Sequence, residues 1–423
     1  MLNYRAHPYT TTSSSLRSTP TPNFSSLTLR PPEPSRASLC PSLGSVSTTT
    51  TSTAASATSS SSSFPSTSLS HSQSPISRKG RWLAKKQLPI ELTTITASST
   101  PEKGGSGPLS SIDHDIKRLQ AFDAYVAELS KDPVEDPGPG DTRGLATVGG
   151  DPGGASLLRC ATLAAQATKY PDIDVNAVME AVDKLAEEVR EVLGDGERYP
   201  MRVMKAIITV MYERHGYHGN MVDFYDDDNS YMNQVVARKT GLPITLSIVF
   251  MEVAHRVGLP MVGVNLPGHF MIRPFIEDME VLVDAFSGEI TFRNDAEDKL
   301  ADVFGGPVRL DPAVVRSSKG VSTRRILQRM LNNIKQLYVI AGGPQQAAAA
   351  LRIIRLMRVT KPDYPPDLRD EGLVLYALQR YEEAAQALTQ YLEIEPSGDD
   401  AMRCFTLLEG CRAIIKQKQS KKQ

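Results

Sequence analysis

From Ile244 to Val257 the chain is apolar almost all the way round a helix, interrupted by charge or imidazole only at Glu252, His255 and Arg256. A helix with so narrow a polar stripe must be wrapped by other elements, so this segment predicts the core of a domain. Pro243 is tolerated in the first turn, where its missing N–H would have no intrahelical partner, and Gly258 marks the stop. Glu252 and Arg256 stand in the favourable i,i+4 orientation and are expected on the one wet edge. A short polar helix is expected just before, over Ser230 to Lys239, capped by Asn229 or Ser230 and ended by Gly241. Asn229 and Asn233 lie four apart, so one helix face would carry both amides and let them brace the core from inside.

After Gly258 the period changes from 3.6 to 2. Met261 to Leu266, His269 to Phe275 and Glu280 to Phe286 are rich in Val, Ile and Phe and read as three antiparallel strands. A turn centred between Ile276 and Glu277 sets His269 directly opposite Asp284, an imidazole beside a carboxylate. A register slip of one residue would send the two side chains to opposite faces.

Helix, then strand with His, then strand with Asp, is the order seen in papain-like and transglutaminase-like thiol enzymes. Their nucleophile is a cysteine at the helix N-terminus, where the dipole and an imidazolium favour the thiolate. That position falls near Pro243 or Ile244 here, and no cysteine is present. Thr245 and Ser247 are the nearest hydroxyls, and Pro243 removes a backbone donor where an oxyanion hole would need one. His215 and His218 with Asp223, Asp226, Asp227 and Asp228 match no common metal spacing, so no metal and no cofactor is expected.

The strings Gly219-Asn220, Asp223-Phe224-Tyr225-Asp226, Asn229-Ser230-Tyr231-Met232-Asn233, Gly241-Leu242-Pro243-Ile244 and Pro267-Gly268-His269-Phe270, together with the run from Glu252 to Gly258-Leu259-Pro260, resemble the bacterial SirB invasion-regulator family. The resemblance runs from about Leu157 into the C-terminal helices. It implies a transglutaminase-like core of the second type followed by tetratricopeptide repeats, in a family that generally lacks the thiol. Two strings depart from the family pattern. Asp226-Asp227-Asp228 replaces an Asp-Pro-Arg, and Asp284-Ala285-Phe286 replaces an Asp-Pro-Phe.

The flanking sequence supports that architecture. Residues 1–90 are dominated by Ser, Thr and Pro, with nine Lys or Arg against the single acid Glu33. Such a segment cannot bury apolar surface, and its composition fits an organellar transit peptide, plastid rather than mitochondrial, ending near residue 75. Residues 76–155 read as a linker holding one helix, with Asp132 to Gly154 rich in Gly, Pro and Asp. Helices over Leu157 to Thr168, Val175 to Leu193 and Pro200 to Arg214 form a lobe against the core helix within a domain spanning 156–310. The chain then passes through a loop region. Segments 331–362 and 365–396 align at the 34-residue tetratricopeptide period, with Gly372, Ala384, Leu388 and Pro396 at consensus positions and Ala350, Ile354 and Pro362 answering them. A final helix from Asp400 to Lys416 caps a repeat segment placed at 322–416, and 417–423 is a basic tail.

Cys40, Cys160, Cys404 and Cys411 show no CxxC spacing, and Cys160 reads as a buried inert thiol. The formal net charge of −1 gives no indication of a nucleic-acid partner, and no run of about 18 apolar residues predicts a membrane span. The fold class is therefore α+β, a papain/transglutaminase-like domain with a helical lobe and antiparallel sheet, followed by all-α repeats. Two functions compete. A thiol-lacking scaffold would bind a protein or peptide through the repeats, whereas a hydrolase or acyl-transferase would use His269, oriented by Asp284, to activate Ser247, Thr245 or water. The missing nucleophile and Pro243 favour the scaffold.

Overall fold

The structure, a computed structural model, describes residues 108–132, 154–266, 269–276, 279–304, 306–311 and 320–421. The expected transit peptide, Cys40, the stretch 133–153 and the Pro267-Gly268 turn lie outside those residues. Four helices build the first lobe: α1 Pro108–Leu129, α2 Leu157–Thr168, α3 Val175–Leu193 and α4 Pro200–Ile208. Alpha geometry gives way to a wider π turn over Thr209–Arg214, so the expected single helix to Arg214 changes type midway. That widening serves a contact, because the Tyr212 hydroxyl donates to the Ala285 carbonyl at 2.5 Å.

The apolar segment forms α6 Pro243–Arg256, with Pro243 in its first turn and Gly258 just past its end at φ +88°. Leu246, Ile248, Val249, Phe250, Met251, Val253 and Ala254 are completely buried on it. Glu252, expected on a wet edge, is buried as well, and its Oε1 accepts the Leu158 backbone N–H at 3.1 Å. A remote carboxylate thus satisfies an orphan donor in the first turn of α2, beside the local cap from Ser156.

The expected polar helix divides into two pieces. Asp227–Ser230 forms a 3-10 turn, and α5 covers only Met232–Arg238, with Tyr231 at its N-cap and Lys239 left-handed at φ 57°. The cap expected at Asn229 or Ser230 belongs to the 3-10 turn instead, whose own cap is the Asp226 side chain. The residues on either side of α5 join two short parallel strands, β1 His218–Gly219 and β2 Thr240–Gly241.

A meander follows, β3 Met261–Leu266, β4 His269–Pro274, β5 Val281–Asp284 and β6 Glu289–Phe292, hydrogen-bonded in that order. The last strand and α7 Arg293–Phe304 stand where the sequence suggested loop. Beyond them α8 Thr323–Ala341, α9 Pro344–Thr360, α10 Pro365–Ala377, α11 Tyr381–Ile394 and α12 Ala401–Ser420 form the repeat segment. Ala350, Ile354, Ala384 and Leu388 are fully buried there, and a Cβ on Gly372 would come within 2.6 Å of Leu388. Two helices pack through that gap, which fixes glycine at the small position.

Candidate functional site

The sheet has two distinct faces, and they decide what its polar pair can reach. Phe270, Ile272, Val281 and Val283 join the core cluster that contains α6, whereas Met271 and Leu282 cluster with Ala296, Leu300 and Leu310 under α7. Side chains alternate along a strand, so His269 and Asp284 project with Met271 and Leu282, away from α6. Lys299 of α7 confirms that side by approaching the Asp284 carboxylate at 4.0 Å.

His269 Nε2 lies 3.1 Å from Asp284 Oδ2, so the structure brings the expected pair together. They are not directly opposite, however. Ile272 pairs with Val283, a register two residues from the expected one. A slip of two preserves the face, and the imidazole meets the carboxylate diagonally across the ladder. Asp284 also accepts the Phe286 N–H at 3.0 Å. Burial alone would raise its pKa, but the bond and charge of His269, the Phe286 N–H and Lys299 outweigh burial and hold the carboxyl below its ordinary range. With a depressed folded pKa, the pair's stabilisation is present above the unfolded pKa of about 4 and disappears as pH falls through the folded value.

Neither candidate hydroxyl meets this imidazole. Thr245 Oγ1 donates to the Asn229 carbonyl at 2.8 Å and accepts the Leu242 N–H at 2.9 Å, closing the first turn of α6. Ser247 Oγ donates to the Pro243 carbonyl at 2.7 Å, four residues back. Both are completely buried on the opposite side of the sheet from His269. A nucleophile, a base and an acid are thus present in the sequence but do not converge.

The residues around the start of α6 are tied into the surrounding structure. A Cβ on Gly219 would come within 2.4 Å of the Phe286 ring, and its N–H donates to the Phe286 carbonyl at 3.0 Å, which ties β1 to the end of β5. Asn229 is fully buried, accepts from Asn220 Nδ2 at 3.0 Å and donates to the Asp223 carbonyl at 2.8 Å, the internal brace expected of it. Asn233 does not share that role. The break between the 3-10 turn and α5 separates the two asparagines, and Asn233 Oδ1 is buried without a partner among the described residues.

Asp226, Asp227 and Asp228 converge closely, but cations and hydroxyls already hold them. Lys169 reaches Asp227 at 2.8 Å and Asp228 at 2.6 Å, Arg238 reaches Asp226 at 2.7 Å, and Tyr338 donates to Asp227 at 2.8 Å. His215 pairs instead with Glu188, and His218 with Thr240 and the Gly216 carbonyl. Cys160 is buried, and burial followed by the nearby Glu128 and Asp132 charges pushes its thiol pKa well up, against nucleophilic use.

Fold and site together define a class, a transglutaminase-like domain continued by tetratricopeptide repeats. Sequence comparison agrees, matching the transglutaminase-like superfamily over residues 176–332 and the tetratricopeptide repeat over residues 335–409. The chain belongs to the UPF0162 family. It is 35% identical over 257 residues to a UPF0162 protein of Xylella fastidiosa (strain 9a5c), a match covering 60% of this chain and 88% of that protein. A UPF0162 protein of Vibrio cholerae is 24% identical over 202 residues, 48% of this chain and 73% of that protein. F-box only protein 21 of Mus musculus is 32% identical over 146 residues, 32% of this chain but 22% of that larger protein. No solved structure is significantly similar. Among the described residues no helix is long and apolar enough to cross a membrane.

Proposed function

We propose that this protein is a non-catalytic, protein-binding scaffold that holds a protein or peptide partner through its repeats. The observation that supports it most directly is the separation of His269–Asp284 from Thr245 and Ser247 by the thickness of the sheet. Pro243, standing where a thiol enzyme places its nucleophile, supports it further. Stacked repeat helices offer the extended concave surface that peptide partners use.

Pull-down with the full chain, repeated with two variants, tests this reading. His269→Ala is expected to leave partner capture within about twofold of wild type, since the pair lies outside the repeats. Leu388→Asp, which introduces a charge at a fully buried repeat position, is expected to abolish it. An enzyme reverses the order, because removing a general base costs roughly 10²- to 10⁴-fold in rate. A serine-directed probe adduct at Ser247 that vanishes in His269→Ala would overturn the scaffold.

We further propose that the protein works in a plastid. The Ser- and Thr-rich, acid-poor composition of residues 1–90 supports this address. A fluorescent fusion of residues 1–90 is expected to accumulate in the plastid stroma. A fusion that stays cytosolic, or enters mitochondria, refutes it.

A further inference from the structure

A cavity of about 250 Å³ opens where the first lobe, the Asp227–Tyr231 segment and the first repeat helices meet, and its walls include Arg118, Lys169, Asp227, Gln345, Gln346 and Arg352. Three cations therefore face one carboxylate. That carboxylate is already engaged, since Asp227 takes Lys169 on one oxygen and the Tyr338 hydroxyl on the other. Arg118 keeps an exposed partner in Asp115 at 2.9 Å, yet its Nε is buried and unbonded. Arg352 has no hydrogen bond or ion pair among the described residues, and its Nε is buried as well. Burial, then the like charge of Arg118, lowers its pKa, and the pull of Tyr231, Tyr338 and Asp115 does not make up for it, so the guanidinium is under-compensated where it sits.

Two further features point the same way. The N-terminus of α9, a 17-residue helix with no side-chain cap, delivers Gln345 and Gln346 to the cavity, with unpaired N–H groups and the positive end of the dipole. The Tyr231 and Tyr338 hydroxyls bond each other at 2.9 Å, and burial pushes both phenols up, so they face the cavity as neutral groups and add no negative charge. The donors left unspent are cationic or neutral amides. Among the described residues lining the cavity, the one acid, Asp227, is already engaged.

We propose that this cavity is a binding site for a phosphate group, free or as the monoester of a small molecule, with Arg352 and Arg118 as its principal ligands. Two guanidinium groups and a helix N-terminus suit a tetrahedral dianion with several acceptor oxygens better than a planar monoanion. The volume, roughly that of eight water molecules in the liquid, admits a phosphate with a short substituent. The ligand would bridge α1 of the first lobe and α9 of the repeats, so its occupancy would reinforce the contact between them. This site is separate from the His269–Asp284 pair.

Calorimetric titration and thermal unfolding of the full chain, with inorganic phosphate, glycerol phosphate and acetate as probes at matched ionic strength, test the proposal. Saturable binding and a rise in Tm are expected with phosphate or its ester and not with acetate. Preference for the ester identifies the organic source, and preference for inorganic phosphate the free one. Arg352→Gln is expected to weaken phosphate binding by roughly 10- to 100-fold, the loss of a charged hydrogen bond. It should leave the Tm of the unliganded protein unchanged or higher, because a repulsion is relieved; a structural arginine would lower it. Arg118→Gln provides a second variant, and Arg412→Gln, on the exposed face of α12, controls for surface charge. Acetate binding as tightly as phosphate, no saturable binding of either phosphate probe, or equal affinity in wild type, Arg352→Gln and Arg118→Gln would overturn it.

Discussion

Lys335→Met is expected to destabilise the folded protein by about 3–5 kcal/mol, on the order of 10 °C in Tm. Lys335 is almost completely buried on α8, where its Nζ meets Asp370 Oδ2 at 2.7 Å and Asp367 Oδ1 at 3.5 Å on α10. Gln328 bonds the second Asp367 oxygen, and Arg369 binds the second Asp370 oxygen at 2.8 Å while reaching Asp400 at 2.6 Å. Deleting the lysine charge leaves two carboxylates buried with one cation between them. Burial already raises the Asp367 pKa, and the pull of Lys335 and Gln328 offsets it only in part. A carboxyl whose folded pKa is raised binds more protons folded than unfolded, so stability falls as pH climbs from about 4 through the folded value. Without Lys335 that window extends upward. The deficit of Lys335→Met, measured by urea unfolding, is therefore expected to be smaller at pH 5 than at pH 8. A loss under about 1 kcal/mol at both values would mean that the network relaxes to water.

The network was invisible in the sequence because Lys335, Asp367 and Asp370 sit in segments that also read as ordinary solvated helix faces. Periodicity carries information where one face is dry, and so the bounds of α2, α3 and β3 were legible to the residue. It fails where the apolar content is low, as in Glu289–Phe292 and Arg293–Phe304, which pack few residues and resembled loop. The His269–Asp284 encounter was legible because a two-residue period keeps the face through a register slip of two, the slip that occurs here. That the pair faces away from α6 was not, since that depends on what covers the sheet, and α7 was missed. Asn229 and Asn233 illustrate a similar limit. Spacing of four implies a shared face only if the helix is continuous, and a 3-10 turn intervenes.

Glu252 gives the second large effect, and a set of variants can separate its two roles. One oxygen accepts the Leu158 N–H of α2, and the other pairs with Arg256, which also contacts Asp183. The Arg256 pKa shows the balance, because burial lowers it but Glu252 and Asp183 raise it further. Glu252→Leu removes both roles. It leaves an orphan N–H inside the lobe and a largely buried guanidinium without its buried anion, and is expected to cost about 3–5 kcal/mol. Glu252→Gln keeps an acceptor of the same shape for Leu158 and loses only the charge, so it should cost roughly 1–3 kcal/mol. The double variant Glu252→Leu, Arg256→Leu replaces the pair by apolar surface of similar volume. It should recover part of the loss of Glu252→Leu, because a buried pair costs more to break than to replace. Chemical unfolding of the four proteins measures the order. If the double variant is less stable than Glu252→Leu, Arg256 stabilises the fold through its remaining contacts with Asp183 and the Glu252 carbonyl, and is not a costly unpaired charge.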